Sequence, residues 1–179
     1  MAVTVKDASG HVYFDSTLPA ASGAVQTEST TAAALTAMTA SDTYTIARLS
    51  CLLDPIAAKA DVEGMGLKNT GGYIFYDGNN LNWLDPSKPA ARQYLCGLAK
   101  ELAEMGFDEI LLTDVSYPTE GKLDKIAYGE TGKVQNLNAF LDEMRAALAE
   151  YDVKLSIELP AAAISEGSDS QAGLTLTEI

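Results

Sequence analysis

The feature that most constrains the fold is a helix pattern that runs directly into a strand pattern, in PSKPAARQYLCGLAKELAEMGFDEILLTD, residues 86–114. Pro89 is typical of a first helical turn, and apolar residues then recur at helical spacing as far as Met105. Gly106 ends the predicted helix, and the apolar run 110–112 is typical of a buried strand. A helix joined this closely to a strand indicates a parallel sheet with helices packed against it.

The same alternation of patterns extends over most of the chain. The predicted strands are residues 3–7, 43–54, 108–114 and 153–159, and the predicted helices are 27–40, 89–105 and 136–151. Weaker signals predict a hairpin arm at 11–16, a hairpin or long functional loop at 71–83, and a final short strand at 173–179. The alternation predicts an α/β fold with parallel strands and helical crossovers.

The charge of the chain narrows the classes of partner. Asp and Glu number 25 against 12 Lys and Arg, a net charge of −13. A chain this acidic repels phosphate backbones and anionic membranes, so we expect no nucleic-acid partner. The sequence has no apolar run of membrane-spanning length, and we expect no membrane insertion. A neutral polysaccharide or a cationic ligand is compatible with the charge, and so is the simpler interpretation that acidity keeps the protein soluble.

Histidine and cysteine usage excludes several kinds of active site. His11 is the single histidine, which argues against a Ser-His-Asp triad and against a multi-histidine metal site. Cys51 and Cys96 lack metal-like spacing and lie in apolar segments, so we expect buried free thiols. Glycine-rich phosphate motifs and regular calcium loops do not occur. We therefore expect no cofactor and no metal.

Four of the predicted strands end at or near an acid: Asp7, Asp54, Asp114 and Glu158. Ligand sites in parallel α/β folds lie outside the carboxyl ends of the strands. Asp114 and Glu158 end successive strands, and neighbouring strands lie about 4.8 Å apart. Two carboxylates so placed can act on a glycosidic bond, at separations of about 5–5.5 Å for retention or about 6.5–9.5 Å for inversion. The structural alternative is that such acids cap the next helix or bind a loop amide.

Three further side chains are candidates for substrate binding. Arg48 lies inside an apolar strand, where it needs a carboxylate partner, and this partner is predicted to be a strand-end acid. The pairing is either structural or substrate-orienting. Tyr76 and Trp83 belong to an aromatic and carboxamide-rich loop whose rings could stack on sugars, or could simply pack the loop onto the body. Asp7 and Asp54 are expected to shape the same site.

Several stretches in order resemble one known family: VTVKDASGHVYFDSTLP, YTIARLSCLLDP, NLNWLDPSKPAARQYLCGLAKELAEMGFDEILLTDVSYP and VKLSIELP. They are similar to a glycoside hydrolase domain family of bacterial TIM-barrel proteins, first catalogued as a domain of unknown function. The resemblance implies a (β/α) barrel related to α-amylase-like and other sugar-cleaving barrels. It also implies carbohydrate as substrate and an extracellular or cell-envelope location.

The sequence departs from the family's pattern at the predicted site. The family's aspartate falls on Thr113, with Asp114 one residue later, and its arginine falls on Ser116. A shift of one residue turns a strand side chain to the other face unless a bulge restores it. Thr4 stands where the first strand of the family carries an aspartate. Positions that match the pattern are Lys6, Asp7 and Glu158.

The length of the chain sets the last expectation. A complete barrel needs about 250 residues, so we expect residues 1–179 to form a single partial or reduced TIM-barrel-like domain, incomplete at both ends. Either the chain is an excised piece of a longer protein, or its open sheet edges pair with a second copy or are covered. The leading hypothesis is a glycoside hydrolase with Asp114 and Glu158 as its carboxylate pair. The alternatives are a degenerate barrel that binds carbohydrate without cleaving it, and a structural or assembly module.

Overall fold

A four-stranded parallel sheet forms the centre of the molecule in a computed structural model, which describes residues 1–175 apart from the side chain of Ala162. Its strands follow one another across the sheet in chain order, as β1 (Ala2–Lys6), β2 (Ile46–Ser50), β3 (Glu109–Thr113) and β4 (Lys154–Ile157). Every neighbouring pair is parallel. The predicted α/β class is therefore confirmed.

Helices connect successive strands. The α-helices are α1 (Ser29–Thr39), α2 (Pro55–Ala60), α3 (Pro89–Glu104), α4 (Lys133–Leu148) and α5 (Ala161–Glu166). Short 3₁₀ turns lie at Pro19–Ala21 and Leu123–Lys125. A small antiparallel pair, β5 (Ser168–Asp169) and β6 (Leu174–Thr175), follows α5. The first two residues after Gly173 thus form part of the predicted last strand, and its positions 176–179 lie outside the described residues.

Helices α1, α3 and α4 pack on one face of the sheet. Ala47, Leu49, Ile110 and Leu112 point to this face and are fully buried. Helix α4 buries a stripe at helical spacing, which includes Leu137, Phe140, Leu141, Met144 and Leu148. Each fully buried large apolar side chain contributes about 1.5–3 kcal/mol, which explains why these helices lie where they do. Gly106, at φ +88°, ends α3 in the left-handed conformation that glycine adopts without strain.

The opposite face of the sheet is open. Thr4, Arg48, Leu111 and Ser156 are registered neighbours across the four strands on this face. Thr4 is exposed and the other three are partly exposed, so the rest of residues 1–175 leaves this row accessible. In a complete (β/α)₈ barrel the corresponding face is the packed interior. The four strands therefore have the layout of part of such a barrel.

Two of the predicted elements differ in the structure. The predicted strand 43–54 ends at Ser50, because Asp54 caps α2 and Pro55 begins it. The predicted hairpin arm at 11–16 is not a strand; only Val12 forms isolated bridges, to Lys6 and Val25. The aromatic loop at 71–83 belongs to a small irregular hairpin, in which Lys68 and Ile74 form an isolated antiparallel β-bridge.

Both cysteines are buried and free, as expected. Burial raises the pKa of the Cys96 thiol to about 11, and it raises the pKa of Cys51 further. Neutral, enclosed thiols of this kind are chemically inert. None of the helices within residues 1–175 combines the length and apolar character that crossing a membrane requires.

Candidate active site at the carboxyl ends of the strands

A cavity of about 450 Å³ opens beside the carboxyl ends of β3 and β4. Asp114 and Glu158 both line it, so the structure brings the two predicted catalytic acids to one space. A third carboxylate, Asp169, comes from the β5–β6 hairpin. Other polar groups in the wall are Ser116, Thr119 and Gln171. The cavity therefore combines three acids with hydroxyl and carboxamide groups.

Asp114 has an unusual backbone conformation. Its φ of +54° lies in the left-handed region, which aspartate tolerates better than most residues. The residue follows the last residue of β3, so the strand alternation that would send it to the helix-covered face no longer applies. Its Oδ2 accepts hydrogen bonds from Ser50 Oγ at 2.7 Å and from Thr113 Oγ1 at 3.1 Å. The turn thus restores the carboxylate to the side of the cavity.

Glu158 forms an ion pair across the open face of the sheet. Arg48 Nη2 on β2 lies 2.9 Å from Glu158 Oε2, which follows β4. The guanidinium must pass over β3 to reach it, because β3 lies between the two strands. The side chains are 42% and 56% exposed, so solvent screens the pair and its contribution to stability is about 0–1 kcal/mol. The predicted pairing of Arg48 with a strand-end acid is present.

Asp54 is sealed inside the protein. Its Oδ2 lies 3.0 Å from Lys6 Nζ, and neither side chain has any exposed surface. Its Oδ1 accepts the backbone N–H of Ala57 at 2.8 Å, which makes Asp54 the N-cap of α2. Burial and the nearby Asp54 charge raise the pKa of the Tyr94 phenol. These contacts give Asp54 a structural role, and the substrate contact expected of it would require the ion pair to open.

Asp7 is occupied by its own loop. Its carboxylate accepts hydrogen bonds from the Tyr13 hydroxyl at 2.7 Å, from Ser9 N at 2.9 Å and from His11 N at 3.1 Å. Partial burial alone would raise the pKa of Asp7, but these hydrogen bonds outweigh burial and hold the pKa below its usual value. Asp7 does not line the cavity. The structure therefore does not bring Asp7 to the site, and its carboxylate holds the loop after β1.

The two aromatic candidates have different environments. Trp83 is 9% exposed, and its Nε1 donates to Asp77 Oδ2 at 2.9 Å, so the indole packs the loop onto the body. Tyr76 is 46% exposed, with Lys59 Nζ 5.9 Å from its ring centroid. Neither residue lines the cavity. A ring that stacks on sugar needs an open face, and of the two only Tyr76 has one.

Asp169 is the carboxylate of the site that the sequence interpretation missed, and Thr119 and Gln171 were missed with it. Its Oδ1 accepts the backbone N–H groups of Gln171 and Ala172, each at 3.0 Å, which shapes the tight β5–β6 turn. Tyr117 N donates to Ala172 O at 2.9 Å and so ties this turn to the loop after β3. The only sequence signal is the turn-rich run SEGSDSQAG, which indicates a loop and says nothing of its position.

Within residues 1–175, no group of three or more His, Cys, Asp or Glu side chains has the geometry to hold a metal ion. The wall of the cavity offers carboxyl groups and hydrogen-bond donors. Paired carboxyl groups beside an open cavity are the groups used in acid–base and nucleophilic catalysis on glycosides.

The chain belongs to a family of glycosyl-hydrolase-like domains. All of it, residues 1–179, matches the family model described as "Putative glycosyl hydrolase domain". A crystal structure of a hypothetical protein from Ruminiclostridium thermocellum ATCC 27405 is similar, with a TM-score of 0.74 and 29% identity over 88% of this chain and 81% of that one. The resemblance inferred from the sequence is confirmed by the family match.

Weaker similarities reach two other solved structures. The glycoside hydrolase domain of PelA from Pseudomonas aeruginosa has a TM-score of 0.49 and 17% identity, over 92% of this chain and 62% of that one. Aspergillus fumigatus Ega3, solved in complex with galactosamine, has a TM-score of 0.48 and 12% identity, over 92% and 61%. The comparison with curated proteins finds no match.

Proposed function

We propose that this chain is a glycoside hydrolase domain that cleaves a polysaccharide with Asp114 and Glu158 as its carboxylate pair. The observation that carries the proposal is that both acids, from the ends of adjacent parallel strands, open into one cavity. The family match supports the reaction class. The other two strand-end acids, Asp7 and Asp54, are engaged by the chain itself and support the site from outside it.

In the proposed reaction, one carboxyl group protonates the glycosidic oxygen as the bond to the anomeric carbon breaks. The other attacks that carbon directly or activates a water molecule to do so. Arg48 orients Glu158, since its guanidinium lies 2.9 Å from the carboxylate. Asp169, Gln171 and Ser116 supply acceptors and donors to sugar hydroxyl groups. Tyr76 offers an exposed ring for a sugar bound outside the cavity.

The test is release of new reducing ends from a panel of bacterial and plant polysaccharides. The panel contains neutral polymers and polymers with free amino sugars, because three carboxylates line the cavity. We expect turnover by the wild type that both Asp114→Asn and Glu158→Gln abolish. Asp142→Asn, on the surface of α4, is the matched control and should keep full turnover. Release that survives in Asp114→Asn would contradict the assignment of the pair.

A second candidate function is carbohydrate binding without cleavage. The observation that favours it is Ser116, which lines the cavity at the position where the family's pattern has an arginine, so the wall lacks that guanidinium. The same panel separates the two functions. Binding that Asp114→Asn preserves, with no reducing ends released by the wild type, supports the binding function.

The open sheet face and its edges suggest a third class, an assembly module. We propose that residues 1–179 are a single barrel-like domain with half the strands of a (β/α)₈ barrel, and that a second copy can cover the open edges. A location outside the cell or in its envelope fits a polysaccharide substrate.

Sedimentation at increasing protein concentration tests the assembly: a dimer that forms with concentration supports it, and a strict monomer contradicts it.

A further inference from the structure

Asp114 is held by hydroxyl groups from two neighbouring strands, and the rest of the chain holds those hydroxyl groups in turn. We propose that Ser50 is a positioning residue for Asp114, and that Thr113 is a second, weaker one. The inference rests on the proposed function of Asp114, but its geometric part can be measured without any turnover.

The contact between Ser50 and Asp114 is short and enclosed. Ser50 is 3% exposed, and its Oγ lies 2.7 Å from Asp114 Oδ2. The same Oγ lies 3.3 Å from Leu53 O, but a hydroxyl has one proton, and the nearer, charged acceptor takes it. Ser50 and Thr113 are cross-strand neighbours in β2 and β3, so their hydroxyl groups converge on the same carboxylate oxygen.

The backbone around Ser50 is fixed from inside the protein. Lys6 Nζ donates to Ser50 O at 2.8 Å and pairs with Asp54 at 3.0 Å, and all of these groups are buried. On the other side, Leu52 N donates to Asp114 O at 3.2 Å and ties the two strand ends together. The serine hydroxyl therefore presents a donor at a fixed point, which a flexible loop could not do.

The backbone of Asp114 makes this support necessary. A left-handed residue after a strand places its side chain by local contacts alone, because the pleat of the sheet no longer directs it. Within residues 1–175 the contacts to its carboxylate come from Ser50 and Thr113 and end on Oδ2. Oδ1 is left for a ligand in the cavity. Without Ser50, we expect the carboxylate to sample other rotamers and to lose its alignment with the bond to be cleaved.

The first experiment measures the side-chain rotamer of Asp114 by NMR three-bond couplings in isotopically labelled protein. The wild type and Ser50→Thr, which keeps the hydroxyl, should show one χ1 rotamer. Ser50→Ala should show couplings averaged over several rotamers, and Thr113→Val a smaller change in the same direction. Ser22→Ala, which removes an exposed serine hydroxyl that donates to Pro19 O, is the control. A single Asp114 rotamer retained in Ser50→Ala overturns the proposal. If Ser50→Ala fails to fold, the Asp114 couplings in Thr113→Val decide whether the hydroxyl groups position the carboxylate.

The second experiment measures kcat and KM on the polysaccharide that the wild type cleaves. Ser50→Ala should lower kcat about tenfold to a hundredfold with little change in KM, and Ser50→Thr should recover most of it. An unchanged kcat in Ser50→Ala overturns the proposed role. If the wild type cleaves nothing, the proposed function fails, whereas the couplings still decide whether Ser50 positions Asp114.

Discussion

The acids that follow β1 and β2 differ from those that follow β3 and β4 in how much of their hydrogen-bonding capacity the chain itself uses. Asp54 is buried against Lys6 and caps α2, and Asp7 accepts three hydrogen bonds from its own loop. Among the described residues, the hydrogen bonds to the Asp114 carboxylate end on Oδ2, and Glu158 is more than half exposed. An acid at the end of a strand is therefore not a site by itself; the next few residues decide whether it becomes one.

The connections after the strands explain this division. Helix α2 begins at Pro55, immediately after Asp54, so the carboxylate accepts the free N–H of Ala57 in its first turn. After β3 the chain makes a long loop before α4 begins at Lys133, and no helix start lies beside Asp114. After β4, Pro160 takes the N-cap position of α5 and leaves Glu158 unused by the helix.

The largest expected difference between the two groups of acids is in stability. Asp54→Asn leaves the Lys6 ammonium buried without its anion, and should lower the free energy of unfolding by about 3–5 kcal/mol. Glu158→Gln removes one partner of an exposed pair and should change it by about 1 kcal/mol or less. Urea unfolding at neutral pH measures both. Equal losses of unfolding free energy in Asp54→Asn and Glu158→Gln would contradict the difference in burial between the two ion pairs.

The aromatic pair of the 71–83 loop sharpens the same comparison between packed and open groups. Trp83→Ala should cost about 3–5 kcal/mol of unfolding free energy, because it leaves a cavity and removes the donor to Asp77 Oδ2. Tyr76→Ala should cost about 0.5 kcal/mol or less, since much of its ring is in solvent. Thermal unfolding of the two variants is compared by far-ultraviolet circular dichroism, which follows the backbone and does not depend on the tryptophan. A large loss in Tyr76→Ala would show that its ring is needed for folding.

Arg48 tests how far the open face contributes to folding. Arg48→Ala should lower the unfolding free energy by about 1 kcal/mol or less, and added salt should reduce the difference from the wild type. Urea midpoints at about 0.05 M and 0.5 M NaCl provide the measurement. A salt-independent loss of several kcal/mol would contradict the exposed geometry of the pair.

The smallest expected effect is the pH dependence of stability. Hydrogen bonds from the Thr45 backbone and hydroxyl hold the pKa of Asp108 below its usual value. The pKa of Asp7 is also lowered, because the hydrogen bonds to its carboxylate outweigh the effect of burial. A lowered pKa in the folded state stabilises the protein above the unfolded value of about 3.9, and this stability is lost as the pH falls below it. Unfolding midpoints should therefore decrease below about pH 4, less steeply in Asp108→Asn. An equal dependence of the unfolding midpoint on pH in the wild type and in Asp108→Asn would contradict the lowered pKa of Asp108.

Much of the fold could be predicted from the sequence because its signals are local. The helix predicted at 136–151 and the end of α3 at Gly106 depend on patterns within a few residues, and both predictions are confirmed. Whether a strand-end acid is buried in an ion pair or open to the cavity depends on residues far away in the sequence. Lys6 and Asp54 lie 48 positions apart, and Asp169 reaches the cavity only through the hairpin after α5. The end of β2 was placed too late because its apolar residues continue past the point where the chain turns away from the sheet.

The most direct test of the account compares the same substitution at the two ends of β3. Asp108 precedes the strand and binds Thr45, whereas Asp114 follows it and lines the cavity. Reducing-end release per folded molecule should fall about a thousandfold or more in Asp114→Asn, with an unfolding midpoint close to that of the wild type. Asp108→Asn should keep the wild-type rate. Turnover retained by Asp114→Asn, or lost equally in both variants, would contradict an active site at the carboxyl ends of the strands.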